Sequence, residues 1–172
     1  MFITFEGIDG SGKTTQAQKV TTYLREQGYD VILTREPGGT DISLQIREIL
    51  LDTMTNVHMH PHTELLLFCA SRAQLVEEVI RPFVARGGVV LCDRYADSTL
   101  AYQGYGHGLD LTELQTILDF ATGGLSPDLT IYLDLQPEKG LMRRKQGTLF
   151  GEDWNRLDNM KLSFHRRVYK GY

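Results

Sequence analysis

The sequence predicts an α/β fold, a parallel β-sheet covered by helices on both faces, and three observations carry that reading. Apolar, β-rich runs recur at 1–5, 31–34, 89–92 and 129–135. Segments with helical apolar spacing separate them. The runs are nearly continuously apolar instead of alternating, as expected of strands buried on both faces.

Each element follows from local pattern. Met1, Phe2, Ile3, Thr4 and Phe5 make the first strand. A helix over 13–27 carries Ala17, Val20 and Leu24 on one face and stops at Gly28. After the strand at 31–34, Ile42, Ile46, Ile49 and Leu50 mark the apolar face of a second helix. A longer helix covers about 61–86 and is interrupted near Pro82, which has no amide hydrogen to donate. The third strand is 89–92. Thr112 with Gln115 reads as a capping box for a helix carrying Leu114, Ile117, Leu118 and Ala121. The fourth strand is 129–135, Pro137 suits the first turn of the helix after it, and Leu157, Met160, Phe164 and Val168 mark the last helix. With 172 residues and no internal repeat, low-complexity tract or linker, one domain is expected.

Composition narrows the function classes. Hydrophobic content of 41% and charged content of 23% are those of a globular protein, and a net charge of −4 argues against a nucleic-acid coat. Cys69 and Cys92 sit in apolar runs and read as buried thiols of a reducing compartment. Met1 leads directly into strand one, and no apolar run approaches the roughly 18 residues of a membrane span. A cytoplasmic location without membrane attachment is the expectation.

The chemistry is carried first by Gly7, Ile8, Asp9, Gly10, Ser11, Gly12, Lys13 and Thr14, a complete G-x-x-x-x-G-K-T phosphate loop followed by Thr15. It lies between a strand end and a helix start, where backbone N–H groups and the helix dipole converge on a polyphosphate. Glycines at these positions let the backbone wrap the anion. Lys13 reaches the outer phosphates, and the Thr14 hydroxyl can ligate Mg²⁺. The fold class is therefore the three-layer P-loop NTPase fold, and the ligand a nucleoside triphosphate. Parallel sheets bind ligands beyond the carboxyl ends of their strands, so the segments after the four strands should line one rim.

Asp93 ends strand three, where a metal-associated acid is expected. Arg94 beside it can bridge phosphates or form a structural ion pair. Phe68 and Arg72 share a helix face and could stack on and hydrogen-bond a base, with Ser98, Thr99, Tyr102 and Gln103 as a nearby polar-aromatic cluster. Arg143, Arg144 and Arg156, with Lys145, Gly147 and Gly151, suit a lid over about 143–156 that closes on phosphates. His58, His60 and His62 alternate around Pro61 without a Cys or acid cluster, a pattern that favours an exposed loop over a metal site. N-K-x-D is absent and the one D-x-x-G, at 9–12, is part of the phosphate loop and not a separate switch motif, which counts against a guanine-nucleotide switch.

The segments at 5–15 (F-E-G-I-D-G-S-G-K-T-T), 34–40 (T-R-E-P-G-G-T), 67–72 (L-F-C-A-S-R), 93–104 (D-R-Y-A-D-S-T-L-A-Y-Q-G) and 156–172 resemble bacterial-type thymidylate kinase, a family of P-loop nucleoside monophosphate kinases. The resemblance implies phosphorylation of dTMP to dTDP by Mg-ATP, in dTTP biosynthesis, by a homodimer. It implies that Phe68 stacks on thymine and that Arg72 bonds its carbonyl edge. It places Ser98 and Gln103 near the base, Tyr102 against the 2′ position and Asp9 at the 3′-hydroxyl. Arg94 then contacts the acceptor phosphate, while Glu36 and Pro37 form part of the wall. The family carries its catalytic arginine either in the phosphate loop or in the lid. Gly10 occupies the loop position, so Arg143, Arg144 and Arg156 are the candidates. Family members continue past the position of Tyr172 with a strand and helix that help hold the adenine, and this chain is expected to lack them. The alternatives are another nucleoside monophosphate kinase and a nucleotide-binding relative without activity.

Overall fold

The computed structural model describes residues 1–54, 58–148 and 154–172. Strands β1 (Phe2–Glu6), β2 (Val31–Arg35), β3 (Val89–Asp93) and β4 (Leu129–Tyr132) are all parallel, in the order β2-β3-β1-β4. Successive residues of β1 and β3 supply opposite faces. Phe2, Val90 and Cys92 pack with Leu75, Val76, Ile80 and Phe83 on one side. Ile3, Phe5, Val89 and Leu91 pack with Ala17 of helix α1 (Lys13–Glu26) on the other. Helices therefore cover both faces, as the apolar runs require.

Register sets the rim. Asp93 lies opposite both Phe5 and Arg35, so the segments leaving β1, β2 and β3 start at one level. β4 is shorter than its apolar run, because its partner β1 ends with Glu6 opposite Tyr132.

Three local expectations need correction. Helix α2 (Asp41–Leu51) buries Ser43 and Leu50 but exposes Ile42 and Ile49. Its inward face is set by the bond from Ser43 Oγ to the Ser71 carbonyl, at 2.8 Å. The break near Pro82 falls a turn earlier, where α3 (Pro61–Leu75) widens into π-helical Val76–Ile80 before α4 (Arg81–Ala85). The wider turn accommodates a residue that has a ring and no amide hydrogen. Helix α6 (Leu111–Thr122) is capped by Asp110, whose carboxylate accepts from Thr112 N and Glu113 N, and not by a Thr112–Gln115 box. Asp110 wins because it stands at the N-cap, two positions ahead of Thr112.

The short α5 (Ala96–Thr99) runs into π-helical Leu100–Gly106, and α7 (Pro137–Thr148) follows β4. Helix α8 (Leu162–Gly171) packs Phe164 and Val168 against Ile8, Ala101 and Tyr102. No helix among the described residues is long and apolar enough to cross a membrane.

Candidate active site

The loop joining β1 to α1 has the geometry of an anion cradle. Gly12, the N-cap of α1, has φ 96° and supplies no side chain to cap the helix. The first amides of α1 therefore lack both intrahelical partners and a side-chain cap. Lys13 is buried and folds its ammonium back across the loop, donating to the Ile8 carbonyl at 2.8 Å. Burial, and then the charge of Arg94, push the Lys13 pKa down to about 8 against the opposing pull of Asp9. Ser11 Oγ lies 3.5 Å from the same ammonium. Thr14 and Thr15 face outward at the first turn of α1. Thr14 Oγ1 donates to Asp93 Oδ2 at 2.5 Å, so the two metal-ligand candidates meet across the rim.

Gly10 explains why this loop carries no arginine. Its φ is 76°, and a Cβ there would stand 2.4 Å from the Gly140 carbonyl oxygen. A Cβ on Gly140 would in turn meet the Asp9 carbonyl at 2.5 Å. Bare backbone on both sides lets α7 approach the loop. The same approach brings Arg143, exposed on α7, within 3.4 Å of the Gly10 carbonyl.

The other two lid candidates go elsewhere. Arg144 pairs with the buried Asp158 at 2.8 Å. Arg156 is buried, donating to Glu64 and to the Leu50 carbonyl. Residues 149–153, the middle of the expected lid, lie outside the described residues.

Arg94 is the hub between the phosphate loop and the second pocket. Its Nη2 donates to Asp9 Oδ1 at 2.7 Å, and its Nη1 to Ser98 Oγ and to the Tyr172 hydroxyl, both at 3.0 Å. Tyr102 donates its hydroxyl to Asp9 Oδ2 at 2.6 Å. Burial alone would raise the Asp9 carboxyl. Arg94 and then Lys13 overcome it and hold Asp9 well below the ordinary carboxylate range. Arg94 has φ 76°, a left-handed conformation that costs a residue carrying a Cβ about 1–2 kcal/mol. Glu6 holds it in place by accepting from Tyr95 N and Ser98 Oγ, both at 2.6 Å. Burial drives the Glu6 carboxyl up to about 6 despite these donors.

Glu6 and Tyr172 are thus part of the site, although sequence reasoning assigned neither a role. The only signal for Glu6 was a charge ending an otherwise apolar strand.

Phe68 and Arg72 lie one turn apart on α3, as their spacing requires. Phe68 is half-buried beside the cluster of Ile8, Tyr102 and Phe164. Arg72 is fully buried and donates through Nε and Nη2 to Glu36 Oε2, at 2.8 and 2.6 Å. It also donates to Thr99 Oγ1 at 3.1 Å and to the Tyr95 carbonyl at 3.0 Å. Burial pushes the Glu36 carboxyl up against the pull of Arg72, and Glu36 Oε1 has no hydrogen-bond partner among the described residues. Pro37 is buried beside Glu36, its carbonyl accepting from Arg47 Nη1 at 2.9 Å. Gln103 donates its amide to Glu64 and sits buried on the 100–106 segment.

Removing Arg72 should therefore cost stability as well as binding. Arg72→Ala leaves the Glu36 carboxylate buried without its partner, a change worth about 3–5 kcal/mol. The expected drop in unfolding temperature is on the order of 10 °C, measured by calorimetry. An unfolding temperature within about 2 °C of the wild type would show that Glu36 is not dependent on this pair.

A parallel sheet in the order 2-3-1-4, with a Gly-rich loop, a buried lysine and a Thr–Asp pair at its carboxyl edge, defines a P-loop nucleoside-triphosphate-binding protein of the α/β type. The family model for thymidylate kinase matches residues 5–172. The chain belongs to the thymidylate kinase family, a family of enzymes.

Among its relatives, a thymidylate kinase of Roseiflexus castenholzii is 56% identical over 181 residues, covering 100% of this chain and 79% of the relative. One of Herpetosiphon aurantiacus is 54% identical over 193 residues, covering 100% and 81%. The crystal structure of thymidylate kinase from Ehrlichia chaffeensis superposes with a TM-score of 0.79 at 36% identity, covering 99% of this chain and 83% of that one.

Proposed function

We infer that this enzyme transfers a phosphoryl group from ATP to dTMP, giving dTDP and ADP, a step of dTTP biosynthesis. The observation that supports this most directly is the Asp9–Arg94 pair. It stands between the cradle at Gly7–Thr15 and the pocket of Phe68, Arg72 and Gln103, at the junction of donor and acceptor. Arg94 then meets the acceptor phosphate, Asp9 and Tyr102 face the sugar, and Glu36 and Pro37 close the wall. The acceptor phosphate oxygen is itself the nucleophile, so the protein has to align two phosphates, neutralise their charge and exclude water.

Thr14 and Asp93 supply the hydroxyl and carboxylate oxygens that Mg²⁺ takes alongside phosphate and water. Bound there, the ion neutralises charge on the donor phosphates. Lys13 and Arg143 add positive charge from the protein side. A single domain with its lid at about 143–156 and a cytoplasmic address complete the reading. A homodimer is part of it as well, consistent with the exposed Ile42, Ile49, Leu66 and Phe120 on α2, α3 and α6.

The test is ADP release measured across dTMP, dUMP, dCMP, dGMP and thymidine. dTMP is expected to give the highest kcat/KM. Preference for another acceptor would replace the reading with a different kinase, and no turnover with any acceptor would favour an inactive nucleotide-binding relative. Sedimentation at rising concentration tests the dimer.

A further inference from the structure

Glu64 is a fully buried acid outside the phosphate site, and its surroundings identify a task for it. On α3, Glu64, Phe68 and Arg72 follow one another at intervals of one turn. Thr99 and Gln103, also one turn apart, face them from the segment after β3. Two hydrogen bonds form the rungs between these rows. Gln103 Nε2 donates to Glu64 Oε1 at 2.5 Å, and Arg72 Nη1 donates to Thr99 Oγ1 at 3.1 Å. Phe68 lies between the rungs, half-buried.

Glu64 is ionised. Burial would raise its carboxyl, but the hydrogen bond from His107 and the charge of Arg156 outweigh burial and hold it below the ordinary value. His107 Nε2 sits 3.1 Å from Oε1, and Arg156 Nη2 donates to Oε2. An ionised carboxylate only accepts hydrogen bonds. The Gln103 group facing it must be the amide NH₂, and the Gln103 carbonyl oxygen then points away as an acceptor. That oxygen takes no hydrogen bond from any described residue.

We propose that Glu64 is a positioning residue that sets the base specificity of the acceptor pocket. By holding the Gln103 amide with its oxygen toward the base, it makes the pocket accept a pyrimidine-2,4-dione, which carries N3–H, and reject a 4-aminopyrimidine. The inference rests on the proposed dTMP reading of the Phe68–Arg72 pocket. The chemistry is complementary at two points. A dione offers an N3–H donor to Gln103 Oε1 and an O4 acceptor to Arg72. A cytosine-type base offers a lone pair at N3 and a donor at position 4, so it opposes acceptor to acceptor and donor to donor. Such a mismatch in a closed site leaves buried polar groups unpaired, which is a strong source of rejection. Without the carboxylate, the Gln103 amide can turn over and present NH₂ to the base.

The experiment compares kcat/KM for dTMP and dCMP in the wild-type chain and in Glu64→Gln. The glutamine can both donate and accept, so it no longer dictates the amide orientation. The ratio of dCMP to dTMP use is expected to rise at least about tenfold, through KM, with KM for ATP unchanged. An unchanged ratio in the folded variant overturns the proposal. A general loss of activity with the same ratio also overturns it, because that is what a purely structural role would give. Should Glu64→Gln not fold, the double variant with Arg156→Gln, which removes the stranded opposite charge, is assayed the same way.

A crystal structure of the wild-type chain with dTMP decides independently of any variant. N3 is expected about 3 Å from the Gln103 amide oxygen, with the amide nitrogen on Glu64. N3 bonded elsewhere overturns the proposal. Failure of the wild type to phosphorylate dTMP would instead remove the functional reading beneath it.

Discussion

Lys13→Ala is expected to lower kcat by about 10²–10³-fold while the fold survives, because it deletes a preorganised charge aimed at the donor phosphates. The structure makes the expectation specific. The Lys13 ammonium already lies across the loop on the Ile8 carbonyl, so phosphates meet a charge in place. The same burial that preorganises it weakens its hold on the proton, and its pKa is lowered to about 8. The phosphate-binding form is the protonated one, so ATP affinity should be full well below pH 8 and fall above it, by up to about tenfold per pH unit. Calorimetric titration of ATP from pH 7 to 9.5 measures this, and Lys13→Ala should abolish the alkaline decline. Its unfolding temperature should stay within about 4 °C of the wild type, since it loses the bonds to the Ile8 carbonyl and Ser11 Oγ but also a buried charge. Near-normal turnover by the folded variant would remove Lys13 from the phosphate site.

The second large effect separates three arginines that look alike in the sequence. Arg143→Ala is expected to cut kcat by about 10³-fold, with KM for dTMP changed less than threefold. That is the signature of an interaction made mainly in the transition state. Arg143 touches the phosphate loop in this structure, at the Gly10 carbonyl, whereas Arg144 and Arg156 pair with Asp158 and Glu64. Arg156→Ala should act differently, by stranding the buried Glu64 carboxylate at a cost of about 3–5 kcal/mol. Arg144→Ala should likewise act through its buried partner Asp158. Steady-state kinetics beside thermal unfolding distinguishes these outcomes. Wild-type kcat in Arg143→Ala would defeat the assignment. A steep loss of kcat in Arg156→Ala at unchanged unfolding temperature would transfer the role to Arg156.

How much of this was legible in the chain depends on the distance over which each feature is encoded. The phosphate loop is eight consecutive residues whose glycines, lysine and threonine act through backbone geometry at one strand–helix junction. The i, i+4 relation of Phe68 and Arg72 is equally local, because one helical turn places them on one face. The common rim at Thr14, Glu36, Asp93 and Arg94 followed from the rule that parallel strands end on the same side. All of these needed only periodicity and the handed, regular geometry of strands and helices.

What the sequence could not express is pairing between distant segments. Arg72 meets Glu36 across 36 positions, Glu6 meets Ser98 across 92, and Arg156 meets Glu64 across 92. Apolar spacing says that a face is buried but not against what. A charge run such as 143–156 carries no record of which guanidinium finds a buried carboxylate. Tertiary packing decided that Arg143 lies at the loop while Arg144 and Arg156 are engaged with Asp158 and Glu64. The close contact of Gly10 with Gly140 contributes to that outcome, because only bare backbone on both sides lets α7 approach so near. The sequence by itself determined the fold class and the place where phosphate binds. The tertiary structure decided which charges are left to act there, because a buried charge must be matched by whichever partner the fold brings within reach.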